Sequence, residues 1–194
     1  MASLRRDHLV ETALALFSKH GYHATGIDRI LAESGVAKMT LYKHFRSKDD
    51  LILAALRRRD EEFFRWLQTE VEGRAATPRE RLLGVFDALD TWFKDPAFNG
   101  CCFVNAAGEY GRKDDPVHVA AAEHKARVSG YLREFAQAAG ASSPDEVARQ
   151  MMLLVNGAIV AAHVAGDAAA ARTARTMAEA LLVGSLGETK QVAA

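Results

Sequence analysis

Residues 34 to 51 read SGVAKMTLYKHFRSKDDL and set Lys38, Lys43, Arg46 and Lys48 around the rings of Tyr42, His44 and Phe45. Ammonium and guanidinium groups neutralise phosphates, and hydroxyl and imidazole donors hydrogen-bond their oxygens. This chemistry belongs to a surface that touches a polyanion, and its plainer alternative is a solvated charged face. The other chemistry-bearing residues form no reactive set. Cys101 and Cys102 are adjacent, so they cannot staple distant segments and lack metal-ligand spacing. His20 and His23 straddle Gly21, while His118 and His124 are six apart and fall on different faces of a helix. With no nucleophile elbow, glycine-rich phosphate loop or zincin pattern, neither an enzyme nor a cofactor or metal is expected.

Formal net charge is zero over 194 residues, which taken alone argues against a nucleic-acid binder. Its distribution argues the other way. Residues 1–48 hold eight Lys or Arg (5, 6, 19, 29, 38, 43, 46, 48) against Asp7, Glu11, Asp28 and Glu33, a net of +4, leaving −4 for the other 146. The start, MASLRRDHLV, has no apolar run after its arginines, and the longest apolar stretch, GAIVAAHVAG, is far below the roughly 20 residues of a membrane span. A cytoplasmic location with no membrane partner is the expectation.

The elements that must carry these residues all read as helix, because apolar positions recur at three and four rather than two. An all-α protein of about nine helices follows. A first helix spans 4–20, with Leu9, Ala13, Leu16 and Phe17 on one stripe and Gly21 closing it. Thr25 is expected to cap a short second helix with Asp28 in the capping-box position; Gly35 ends it, and a third short helix covers 37–44. Ser47 caps a fourth helix, 48–72, of roughly 37 Å. Thr77-Pro78-Arg79-Glu80 and Ser143-Pro144-Asp145-Glu146 are further boxes, Pro116 opens a long helix, Asp167 caps the last, and the tail at 188–194 is expected to fray. Two short helices joined through a tight glycine turn after a longer one make a helix-turn-helix, whose second helix enters a major groove. Lys38, Met39, Thr40 and Lys43 would face base edges, whereas Thr25, Tyr42, His44 and Lys48 would donate to phosphates. Leu41 and Phe45 anchor the helix to its own domain.

The run FSKHGYHATGIDRILAESGVAKMTLYKHFRSKDDL, residues 17–51, resembles the DNA-binding domain of the TetR/AcrR family of bacterial transcriptional regulators. G-Y-x-A-T at 21–25, the ending Gly35-Val36 and T-L-Y-x-H-F-x-S-K-x-x-L at 40–51 carry the likeness. Gly26 departs from it, where the family more often has Ser, Thr or an apolar residue, and so does Leu31, in place of a small Ala. The resemblance implies a helix-turn-helix domain at 1–47 and a divergent helical domain at 48–194 that binds a small-molecule effector and pairs two chains, linked by the helix at 48–72. A ligand-responsive repressor, released by its effector from a palindromic operator, is the implied function.

Beyond residue 47 the side chains offer partial support. Gly157, Ala158, Ala161, Ala162 and Ala178 permit close helix approach, the requirement of a four-helix bundle across a two-fold axis in a homodimer. Candidate ligand contacts are Phe63, Trp66, Phe86, Trp92, Phe103, Tyr110, Tyr131 and Met152, with Asn105, Glu109 and Asn156 as polar groups; His163 shares a face with Asn156. The segment NGCCFVNAAGEY resembles one in family members that sense electrophiles, which makes Cys101, in a helix first turn, a candidate sensor thiol with Cys102 beside it. The competing class is a helical interaction module that binds no DNA.

Overall fold

The computed structural model describes residues 2–186, so the tail at 188–194 lies outside the described residues. Nine helices appear among them: α1 (Ala2–His20), α2 (Ile27–Ser34), α3 (Lys38–His44), α4 (Lys48–Glu72), α5 (Pro78–Phe93), α6 (Cys102–Glu109), α7 (Pro116–Ala138), α8 (Pro144–Ala165) and α9 (Ala170–Ser185). An isolated bridge, Ala141 with Leu186, is the sole β pairing among the described residues. Packing divides the chain into two compact units. The first takes in the chain to Phe63 together with Cys101–Lys125, and the second takes Phe64–Gly100 and the chain from Ala126 onward. A boundary at residue 47 therefore does not coincide with the division by packing, which adds the front of α4, α6 and the front of α7 to the three N-terminal helices.

In the first unit the expected stripe of α1, Leu9, Ala13, Leu16 and Phe17, is buried, together with Ile30 of α2, Leu41 of α3 and Leu51, Ile52, Ala55 and Leu56 of α4. Each large apolar side chain so buried contributes about 1.5–3 kcal/mol. α1 packs on both α2 and α3. Gly35 takes φ 64 at the end of α2, a left-handed turn that redirects the chain into α3 without the clash a Cβ would bring. At the head of α4 the Ser47 hydroxyl accepts from the Asp50 N–H at 3.1 Å, and the Asp50 carboxylate accepts from the Arg46 N–H at 3.0 Å.

In the second unit α8, α9 and α5 pack on one another. Its core is built from buried Leu82, Leu83, Phe86 and Leu89 of α5, Met151, Val155 and Ile159 of α8, and Ala174, Ala178 and Leu182 of α9. Ion pairs Asp87–Arg175 (3.1 Å) and Asp90–Arg172 (3.0 Å) tie α5 to α9 at the solvent edge. Exposed pairs of this kind are worth at most about 1 kcal/mol and set register more than stability.

Helix extents follow the sequence closely, but three caps do not. Thr25 is fully buried and its hydroxyl donates to the carbonyls of Gly21 (2.7 Å) and Leu16 (3.4 Å); Gly26 is the N-cap of α2 and makes no side-chain cap bond. Ser143 is the N-cap of α8, again with no side-chain bond. Asp167 accepts from the Ala169 N–H at 2.8 Å, and Ala169 rather than Asp167 is the N-cap of α9. The Thr77 box is complete, with Thr77 accepting from the Glu80 N–H and Glu80 accepting from the Thr77 N–H. Thr77→Ala is therefore expected to cost about 1 kcal/mol, whereas Ser143→Ala should cost only a few tenths. Urea midpoints of the two variants check this, and equal losses would contradict the assigned geometry.

Candidate nucleic-acid interface

α3 is pinned from one side. Leu41 is fully buried and Phe45, the C-cap residue four positions on, is buried beside it, so the opposite side of the helix points to solvent. Met39 is 86% exposed and Tyr42 49%; Lys38 and Lys43 are exposed, and Thr40 and His44 are half-buried. A fully solvated methionine beside two lysines has no packing role in this unit. Ala37, the N-cap of α3, makes no side-chain cap bond, which leaves the helix start without an oxygen over its first turn.

Charged groups around α3 are lightly held. Lys38 Nζ lies 3.4 Å from Asp28 Oδ1, with both side chains mostly in water, and such a pair exchanges readily for a phosphate. Lys48, in the first turn of α4, donates to the His23 carbonyl at 3.2 Å. The Arg6 guanidinium of α1 sits 5.3 Å from the centre of the Phe45 ring. Thr25 is the exception among the expected phosphate donors: its hydroxyl is committed to two backbone carbonyls inside the fold, so no side-chain donor is presented at that position.

α6 lies against the turn between α1 and α2, in the same unit. Tyr22 is buried, stacks on Phe17 with centroids 5.2 Å apart, and donates its hydroxyl to the Cys102 carbonyl at 3.0 Å. Burial beside the two thiols holds the Tyr22 hydroxyl far above its ordinary pKa. Glu109 and Tyr110, expected as ligand contacts, are engaged otherwise. The Glu109 carboxylate accepts the Tyr22 N–H at 2.8 Å and the His23 N–H at 2.6 Å, and the Tyr110 hydroxyl donates to Asp49 Oδ1 at 3.0 Å. Burial raises the Tyr110 hydroxyl pKa, with the Asp49 bond adding to it.

The other ligand candidates divide between the units. In the first, Phe103 stacks on His124 with centroids 3.7 Å apart and planes 7° from parallel, Phe63 meets the same ring edge-on at 5.5 Å, and Asn105 is half-buried on α6. His124, which the sequence pointed to only as half of an unsuitable metal pair, is 4% exposed and its Nδ1 lies 2.6 Å from Asp60 Oδ1. Burial is the larger effect on it and outweighs the Asp60 bond, pushing the imidazole pKa down to about 4. In the second unit Trp66 and Trp92 lie 6.4 Å apart, Trp92 meets Phe98 edge-on at 5.0 Å, and Phe98 meets His163 at 6.0 Å. Tyr131 is buried, with its hydroxyl on Glu72 at 3.2 Å; Met152 is buried and Asn156 half-buried.

Cys101 is not in the first turn of α6 but is its N-cap, with extended backbone, and both thiols are buried. Burial pushes the Cys102 thiol up to about 12, opposite to the thiolate that electrophile sensing requires.

A family model described as bacterial regulatory proteins, tetR family, matches residues 9–55, and one described as tetracyclin repressor-like, C-terminal domain, matches residues 78–178. The crystal structure of SCO4454, a TetR-family transcriptional regulator from Streptomyces coelicolor, is 32% identical with a TM-score of 0.87, over 94% of this chain and 96% of that one. The HTH-type transcriptional repressor KstR2 of Mycobacterium tuberculosis is 36% identical over 87 residues, 43% of this chain and 42% of that protein. The HTH-type transcriptional activator FasR of Mycolicibacterium smegmatis is 48% identical over 54 residues, 28% of this chain and 25% of that protein.

The buried His124 has a solution consequence. An imidazole whose folded pKa lies near 4, below its ordinary 6.5, adds stability that is fully present above pH 6.5 and is lost as the pH falls from 6.5 towards 4. His124→Gln removes that titration. Between those two pH values the melting temperature of the wild type should fall more steeply than that of His124→Gln, as read by circular dichroism; parallel profiles would refute the assignment.

Proposed function

The chain belongs to the TetR family of helix-turn-helix bacterial transcriptional regulators, and on that premise we propose that it is a ligand-responsive repressor that binds a palindromic operator as a homodimer. The observation that carries the proposal is the outward side of α3, where Lys38, Met39, Thr40 and Lys43 are assigned to base edges and Tyr42 and His44 to phosphates, with Lys48 at the start of α4 assigned to a further phosphate. Lysine donates to guanine O6 and N7, threonine bonds several edges, and methionine suits a thymine methyl. KstR2 and FasR have opposite signs, so a likeness of the head does not select one. Repression rests on a steric argument: a dimer lying on its operator already occupies DNA that polymerase needs, whereas activation requires an additional polymerase-contacting surface.

α8 supports the pairing of two chains. Leu153 and Val164 are 70% and 76% exposed, Val160 and Gly157 are exposed between them, and the four lie within about 60° of one another around the helix axis. Met151, Val155, Ala158 and Ile159 occupy the opposite side, buried against the rest of the unit. α8 is long and apolar enough to cross a membrane by length and composition, yet its second apolar side is a natural seat for a copy of itself across a two-fold axis. Of the small residues expected at the two-fold axis, Ala158 and Ala178 are buried within the chain, whereas Gly157 lies on the exposed stripe with Leu153, Val160 and Val164.

Effector contact is proposed at Phe63, Phe103 and Asn105 in the first unit and at Trp66, Trp92, Tyr131, Met152 and Asn156 in the second. α4 is one continuous helix that begins at Lys48, and its tilt on effector binding would change the separation of the two α3 helices in the dimer. Coupling of about 1–3 kcal/mol suffices to release DNA.

Lys48→Ala should weaken binding to all duplexes about equally and lower the slope of log affinity against log salt by about one, whereas Lys38→Ala should relax sequence preference at one base position, at a cost of about 1–3 kcal/mol. Fluorescence anisotropy across a salt series separates them, and identical behaviour of the two would contradict the roles. Val160→Glu with Val164→Glu should yield monomers in sedimentation velocity at micromolar concentration; a dimer unchanged by both charges would remove α8 from the interface.

A further inference from the structure

We propose that Glu109 is a positioning residue for DNA binding, holding Lys48 in place through the backbone of the turn at residues 21 to 23. The two oxygens of its carboxylate divide the work, Oε1 accepting the Tyr22 N–H at 2.8 Å and Oε2 the His23 N–H at 2.6 Å. His23 Nε2 donates in turn to the Glu109 carbonyl at 3.0 Å, and its ring lies 4.8 Å from that of Tyr110. His23 is thus gripped through both its main chain and its side chain. Its remaining main-chain group, the carbonyl, accepts from Lys48 Nζ at 3.2 Å. An ammonium has three N–H donors, so this bond orients the lysine and leaves two donors for a phosphate oxygen.

Gly21 allows the carboxylate to come this close. It has φ +83, and a Cβ there would lie 2.9 Å from Glu109 Oε1. The chain order supports a dedicated contact, since α6 reaches the turn across 87 residues of sequence and supplies no base or phosphate donor itself. A glutamine at 109 would turn an NH2 towards one of two backbone N–H groups, donor against donor, and release the turn that aims Lys48. The inference rests on the assignment of Lys48 to phosphate made above.

The test is a double-mutant cycle on a duplex selected by the wild-type protein from a random-sequence pool, with affinities measured across a salt series for wild type, Glu109→Gln, Lys48→Ala and the double variant. Glu109→Gln should weaken binding about tenfold at fixed salt and lower the salt slope by about one, as Lys48→Ala does, and should add little in the Lys48→Ala background. An unchanged affinity overturns the proposal. So does a loss with an unchanged slope that adds fully to that of Lys48→Ala, because a merely destabilised protein loses active fraction and not one phosphate contact. Should circular dichroism show Glu109→Gln unfolded, Glu109→Asp, one methylene shorter, enters the same cycle under the same criteria. Wild-type protein that selects no duplex overturns the regulator reading and this inference with it. Wild-type binding that is indifferent to Lys48→Ala overturns the inference alone.

Discussion

Helices of seven and eight residues do not persist alone in water, because the cost of nucleating them exceeds what so few hydrogen bonds return. α2 and α3 are of that length, so the reading surface exists only while the apolar stripe of α1 holds it. Leu9, Ala13 and Phe17 bury against Ile30 and Leu41, and burial of Leu41 and Phe45 aims Lys38, Met39 and Lys43 at solvent. The basic face is a consequence of the apolar one. A charge run with no anchored opposite side would present the same composition and no defined geometry.

That head does not end where its helices end. Tyr22 follows the glycine that closes α1, stacks on Phe17 and sends its hydroxyl to the Cys102 carbonyl at the other end of α6 from Glu109. The turn is therefore held at both ends of one short helix, which is why packing assigns α6 to the same unit as the first three helices. The burial that seats Tyr22 also removes solvent from the Cys102 thiol and raises its pKa. His124 does comparable work at the Phe103 end, where a neutral ring can stack flat on a phenyl group and still bond Asp60.

The second unit solves a different problem. α8 is apolar on two opposite sides, one buried in its own unit and the other in water, and a soluble helix rarely leaves such a stripe uncovered. Acidic Asp87 and Asp90 on α5 meet Arg175 and Arg172 on α9 at the edge of the core, fixing the register of two helices of which α9 buries mainly small alanines.

Helix positions and lengths were legible because their causes are local. Apolar spacing, Gly21 and Gly35 as terminators, and Pro78, Pro116 and Pro144 in first turns act over a few residues, and α4 ran over the expected 48–72. Caps were less so, since a hydroxyl takes whichever acceptor or donor the fold brings to it: Thr77 found its N–H, while Thr25 turned inward to the carbonyls of Gly21 and Leu16. Residue type alone placed Glu109 and Tyr110 among ligand contacts, but partners 87 and 61 positions away had already taken them. The amino-acid order by itself thus determined an all-helical chain and a basic, anchored helix-turn-helix, because period, punctuation and charge are written residue by residue. Which polar groups are free to act, and which serve only to hold the others, was decided by the tertiary structure, because a hydrogen bond is awarded by proximity in space and not by position in the chain.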